Sequence, residues 1–346
     1  MKPEPPGNRL MFDRFVGIDW SGAKGPRQAG IQLSMARPGR GTPTRIESPS
    51  GHLWGRQAVF EWLLRDADAG VAAGTGPDPD ADSGPDSGPD ADSGPDSGPD
   101  SGTGTGWTDA AGGSILVGID FAFAHPFSDE NAYYPGLAGA PETPAALWQN
   151  VADICKNDAH LYGGAVFAHE TLGDYYLSPR RHDAPLYRSR RRLTEQAARA
   201  SGRAPSPTFK AIGADNVATG SMAGMRLIHA LKAELGDALA VWPFEKVSSA
   251  QLPTMVLVEI FPSYYFHAAG LNPARNAAVD PGFMTAALNA WSSNGVGADY
   301  APRGSDADEA DAMISAAALR HIAGTSGCWH APADALMEGW IFGVPG

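Results

Sequence analysis

Apolar positions fall in short runs or alternate with polar ones along most of the chain, which predicts strands interleaved with helices. Phe15-Val16-Gly17-Ile18 is a short apolar run closed by Asp19, the pattern of a buried strand. Ile31, Leu33 and Met35 alternate with Gln32 and Ser34, as in a strand with one wet face. Pro38-Gly39 marks a turn, 44–48 reads as a third strand, and 52–68 reads as a helix with Leu53, Trp54, Trp62 and Leu63 on its apolar side. The first part of the chain therefore predicts three strands in a meander and then a helix.

Ile115 to Ile119 is a further apolar run, again closed by an acid, Asp120. A helix near 145–157 follows, then a long, irregular, arginine-rich excursion at about 156–215. Residues 221–235 read as a helix, 238–242 and 255–260 as strands, and 284–291 and 306–322 as helices, with 339–344 as a last strand. Strands mixed with helices imply one α/β sheet covered on both faces. The expected organisation is a flexible tail over 1–13 and a single domain over 14–346.

One segment departs from this patterning. Residues 74–106 carry eight Asp, nine Gly and six Pro without one cation, and their SGPD repeat offers nothing to bury. Ordering such a segment costs backbone entropy without return, so a disordered acidic linker is expected there, inside a helix-to-strand connection. Its aspartates account for eight of the thirteen net negative charges, and the remainder, −5, does not exclude an anionic substrate. No apolar run approaches the roughly 18 residues that span a bilayer, and Met1 to Leu10 is polar and proline-rich, unlike a secretory signal. Cys155 and Cys328 are too few for a disulfide framework and lack zinc spacing with His160 or His330. A cytoplasmic protein without a membrane partner is the expectation.

The chemistry lies in the acids. Asp19, Asp120 and Glu259 each sit at or inside an apolar strand, where an uncompensated carboxylate is expensive. Asp19 and Asp120 both end the tetrapeptide Val-Gly-Ile-Asp, whose glycine lets a backbone or ligand come close. In the late helix, Ile314, Ala318 and Ile322 lie at +3, +7 and +11 from Asp311, so this acid falls on the apolar stripe. Asp308 is one turn away on nearly the same face, and Ser305 or Asp306 can cap that helix. Taken singly, each acid reads equally as a strand-end or capping residue. Jointly they predict a site holding magnesium or manganese, two ions being expected, with Asp19, Asp120, Glu259, Asp308 and Asp311 as ligands. Two ions about 4 Å apart suit phosphodiester hydrolysis. The nearest cation candidate is Lys24.

At these residues the chain resembles the RNase H-like superfamily, and more closely domain of unknown function family 429, described as predicted nucleases of that fold. The stretches that carry the likeness are VGIDWSGA, VGIDFAFAHP, IGADNVATGSMAGM, VWPFE, VEIFPS, DADEADAMISAAAL and EGWIFGVP, between Val16 and Pro345. The resemblance implies an RNase H-like mixed sheet, a three-strand meander followed by parallel strands, with helices on both faces and a large helical or irregular insertion. It also implies catalytic roles for Asp19, Asp120 and Asp311, with Asp19 bridging the ions. The acidic insertion departs from the family pattern.

Six arginines, Arg180, Arg181, Arg188, Arg190, Arg191 and Arg192, fall within thirteen residues, with Tyr187 among them. Such forks suit a nucleic-acid backbone, DNA or RNA, so Lys24, Arg188, Arg191 and Arg192 are candidate substrate contacts; a solvated helix start explains them as well. The small and polar residues 206–224 ahead of a helix offer amides to a phosphate without a P-loop Lys-Ser/Thr. His125 reads as a loop histidine that can orient water or phosphate. Two other functions compete with a nuclease. Asp19-Trp-Ser-Gly-Ala-Lys24 also resembles the phosphate loops of actin-like kinases, which implies an ATP-dependent phosphotransferase. The third is a non-catalytic binding protein of the same fold.

Overall fold

The computed structural model describes residues 10–74, 113–203, 205–213, 216–273, 277–304 and 307–346, and for 68–74 the backbone alone. The SGPD-rich segment beyond Gly74, and the candidate caps Ser305 and Asp306, lie outside the described residues. In chain order the elements are β1 (Arg14–Asp19), β2 (Gln32–Ala36), β3 (Thr44–Arg45), α1 (Arg56–Gly74), β4 (Ile115–Ile119), α2 (Pro144–Ile154), α3 (Leu193–Ala200), α4 (Ala218–Leu235), β5 (Leu239–Val241), β6 (Met255–Glu259), α5 (Pro262–Ala268), α6 (Pro281–Ala290), α7 (Asp308–Ile322) and α8 (Ala335–Glu338). Between α2 and α3 the chain makes short 3-10 turns, at Gly164–Ala168 and Leu172–Tyr175, and isolated bridges at Leu177 and Ser178, as the irregular composition there predicts.

The strands form one six-stranded mixed sheet in the order β3-β2-β1-β4-β6-β5. The meander β1-β2-β3 is antiparallel, whereas β4, β6 and β5 continue parallel to β1. The two Val-Gly-Ile-Asp segments are direct neighbours: Val16 pairs with Val117, Gly17 with Gly118 and Ile18 with Ile119. The repeated tetrapeptide is thus two adjoining strands of one sheet.

Side chains alternate across these strands, so each face has its own core. Val16, Ile18, Val117, Ile119 and Leu257 pack under α1, α2 and α4. On the other face Leu116, Val256 and Val258 pack with Tyr265, Met284, Ile314 and Leu319 of α5, α6 and α7. Gly17 and Gly118 lie on this second face. A Cβ on Gly17 would stand 2.3 Å from the Ala312 carbonyl oxygen, and one on Gly118 would stand 2.4 Å from Ile260 Cγ2. Here the glycine beside each strand-end acid makes room for neighbouring structure. At Gly17 that neighbour is the backbone of α7.

Several boundaries differ from the sequence expectation. Residues 339–344 are no strand; a single parallel bridge, Glu259 to Ile341, is all that forms. Side chains take carbonyls a ladder would need: Tyr265 donates to Phe342 O at 2.8 Å and Trp340 Nε1 to Val344 O at 2.8 Å. The third strand stops at Arg45 because the Trp54 indole takes the Ile46 carbonyl, at 3.0 Å. The helix expected from 52 starts at Arg56, since Gln28 N is bonded to Trp54 O and Gly55 presses against Pro26. The helix expected from 306 starts at Asp308, behind Ala307 in a left-handed conformation, φ 67°. Phe12, within the expected tail, is buried against Phe15 and Trp329.

Candidate functional site

The register of the sheet sets Asp19 and Asp120 side by side. The Asp120 amide donates to Ile18 O at 3.0 Å, continuing the β1-β4 ladder to the strand ends. Both acids fall on the face that α7 covers, one residue beyond Ile18 and Ile119. The first turn of α7 brings Asp308 and Asp311 to the same place. Asp308 shares a hydrogen bond with the Asp19 carboxyl.

Burial, then the charges of Asp311, Asp120 and Asp308, hold Asp19 well above the usual carboxylate range. Burial, then Asp311 and Glu259, do the same to Asp120. Among the described residues, no cation opposes the rise at either acid. Several carboxylates turned on one another without a cation are in the state that proton uptake or a divalent ion relieves. An all-oxygen donor set of this kind fits magnesium or manganese. Among the described residues, no group of three or more acid, histidine or cysteine side chains is placed so as to hold a metal ion.

Glu259 behaves differently from the other four. Arg192 donates to both of its oxygens, Nη1 to Oε2 at 2.7 Å and Nη2 to Oε1 at 2.5 Å, and Phe123 N adds a third bond to Oε2 at 3.1 Å. Arg192 also donates from Nε to Glu195 Oε1 at 2.9 Å and from Nη1 to Glu338 O at 3.1 Å. All three ionic side chains are buried, at 3% exposure or less. Burial lowers the Arg192 pKa, yet Glu259 and Glu195 outweigh it and the guanidinium is held firmly charged. Burial raises Glu195 to about 7 even against Arg192. The buried strand acid is therefore compensated by an arginine expected to contact substrate, and the two expected roles meet in one internal ion pair.

The other basic candidates are dispersed. Lys24 is exposed. Arg188 is 69% exposed and paired with Glu130 at 2.9 Å, and Arg191 donates to Pro205 O at 2.7 Å. Arg190 is buried on Asp129, and Arg181 pairs with Asp174. Tyr187 is half-buried against the core. His125 is wholly buried, between Thr208 Oγ1 at 2.9 Å and the Tyr176 hydroxyl at 2.7 Å. Burial, then Arg192 and Arg190, push its pKa well below the ordinary value, so it stays neutral. Cys155 is buried and Cys328 half-buried, and both are free thiols.

Beside the acids lies a cavity of about 380 Å³, lined by Trp20 and Gly22 after β1, Asp120 to Ala122 after β4, and Glu259 to Phe261 after β6. Asn216, Val217, Thr219 and Gly220 around the start of α4 add to its wall, as do the paired Arg192 and Glu195, and Arg203, Ser206 and Ser263. This is the crevice beyond the carboxyl ends of parallel strands where open α/β sheets bind ligands. The loop after Asp19 is tightly held: Trp20 Nε1 donates to Gly220 O at 3.1 Å, and buried Arg56 donates to Ser21 O at 2.9 Å and Ala23 O at 2.8 Å. Arg203 and Arg56 were not legible as site residues, since neither sits in a motif. The polar stretch before α4 was the one signal for this wall. No family model, curated protein or solved structure matches the chain.

Proposed function

We propose that the chain is a divalent-metal-dependent phosphodiesterase acting on nucleic acid, of the RNase H-like type that its motifs resemble in domain of unknown function family 429. The observation that carries this reading is the meeting of Asp19, Asp120, Asp308 and Asp311 beside a cavity, with no cation among the described residues lowering the pKa of Asp19 or Asp120. An antiparallel meander leading into parallel strands, with acids at the ends of the two central ones, also supports it.

Asp19, Asp120 and Asp311 would hold magnesium or manganese, with Asp308 in support. When bound, the ions supply an activated water and offset charge on the leaving oxygen. The chain's own contribution is positioning. Gly17 lets α7 close over β1, which sets Asp311 against Asp19. Asp120 faces both the acid cluster and the cavity, so a phosphate bound in the cavity would lie against the acids. Glu259 keeps Arg192 and the strand ends in place.

A phosphotransferase of actin-like type is less well supported, because that architecture repeats its fold. The two Val-Gly-Ile-Asp segments here are neighbours within one sheet. The test is a manganese-dependent cleavage screen on single-stranded, duplex and structured DNA and RNA. Cleavage that Asp19→Asn, Asp120→Asn and Asp311→Asn each abolish supports the reading. Manganese binding without turnover of any of these would favour a non-catalytic binding protein.

A further inference from the structure

We propose that the cavity beside Asp120 is a subsite for one terminal nucleotide, so that the chain cleaves nucleic acid from an end and not within a strand. The position of cleavage rests on the phosphodiesterase reading above; binding of a nucleotide in the cavity does not.

Size is the first argument. A volume of about 380 Å³ lies near the lower end of pockets that bury a small ligand, roughly 300–1,000 Å³. One nucleotide matches that volume, and a duplex does not enter it. The lining is the second argument. Phe121, Ile260, Phe261 and Ile341 give apolar wall for a nucleoside, while Arg203, Asn216, Thr219 and Ser263 give polar atoms for its phosphate and sugar; the lining acids Glu195 and Glu259 are paired with Arg192. Arg203 is exposed and held by a neutral partner, its Nε donating to Ser263 Oγ at 2.8 Å. Thr219 Oγ1 donates to Asn216 Oδ1 at 2.7 Å, which fixes these two side chains at the wall. Asp120 belongs to the same lining, so the phosphate of a bound nucleotide adjoins the acid cluster.

The arginine-rich stretch points the same way. A protein that tracks along a strand offers a row of cations to successive phosphates. Here Arg181, Arg188, Arg190 and Arg192 are instead paired with Asp174, Glu130, Asp129 and Glu259. Those pairs spend on internal contacts the charge that a long backbone would need. Recognition then falls to the cavity, where Arg192 is held by Glu259 and Arg203 by a neutral hydroxyl.

Two measurements test the proposal together. The first is calorimetric titration of adenosine and deoxyadenosine 5′-monophosphate, without metal, into wild type and Arg203→Gln. Arg203 is exposed, and an unchanged melting temperature checks that the variant folds. We expect binding by wild type and an affinity about tenfold or more lower in the variant, since a charge-assisted contact to phosphate is lost. No binding at millimolar nucleotide, or equal binding by both proteins, overturns the subsite. The second compares linear with covalently closed circular single-stranded DNA and RNA in manganese. Release of mononucleotides from linear strands with circles left intact supports end cleavage. Circles cut as fast as linear strands overturn it while leaving the phosphodiesterase reading standing. If neither is cut but nucleotide binding depends on Arg203, the phosphodiesterase reading and end cleavage both fail, and the nucleotide subsite remains.

Discussion

Arg192 grips Glu259 through two hydrogen bonds, at 2.7 and 2.5 Å, in a place where both side chains are buried. Losing one partner of a buried pair strands the other charge, which costs about 3–5 kcal/mol. Arg192→Met should therefore lower the unfolding free energy by about that amount in a denaturant titration. A loss below about 1 kcal/mol, the scale of a surface pair, would contradict the internal role assigned here.

The same pair bears on metal ligation. With both oxygens of Glu259 committed to Arg192, Glu259→Gln should leave manganese affinity within about twofold of wild type. Calorimetric titration of the variant checks this. A large loss would show Glu259 to be a ligand.

Metal-free stability should fall as pH rises. Asp19 and Asp120 bind protons more tightly in the folded protein than in the unfolded chain, because burial and facing acids raise both. Their contribution is fully present below the ordinary carboxylate value, about 4, and is lost as pH rises through the folded values. Asp311 is a cause of both shifts, so Asp311→Asn should flatten the slope of melting temperature against pH in chelator. Glu195 and Asp66, also raised, act alike in both proteins and cancel in the comparison. An equal or steeper slope in the variant would contradict the facing arrangement.

Gly17→Ala tests how the helix is seated. The added methyl would meet Ala312 O at 2.3 Å and Ala316 N at 2.8 Å, both backbone atoms of α7. Overpacking of this kind costs about 1–3 kcal/mol and moves the helix that carries Asp311. We expect lower stability in denaturant together with weaker manganese binding. Weaker stability with unchanged metal affinity would separate the helix seat from the acids.

The sequence made the acids legible and left their compensation hidden. Each Val-Gly-Ile-Asp announces a buried strand ending in an acid, and the spacing of Ile314, Ala318 and Ile322 turns Asp311 toward the sheet. Arg192 was not legible, because an arginine among arginines looks like surface. Its one signal was the cost of Glu259 inside an apolar strand, which demands a buried cation. The end of the chain misleads for a related reason: 339–344 is apolar enough for a strand, but tyrosine and tryptophan side chains take its carbonyls. Such long-range side-chain contacts leave no periodicity to read.

The central claim is that Asp19, Asp120 and Asp311 form a divalent-ion site. Calorimetric titration of manganese into wild type and Asp311→Asn tests it most directly. Wild type should bind at or below millimolar manganese, and its melting temperature should rise through a gain in stability of about 2.7 kcal/mol at a hundredfold excess over the dissociation constant. Asp311→Asn should bind weakly and show little rise. No binding of manganese or magnesium to wild type at millimolar concentration would contradict the account and leave the carboxylates structural.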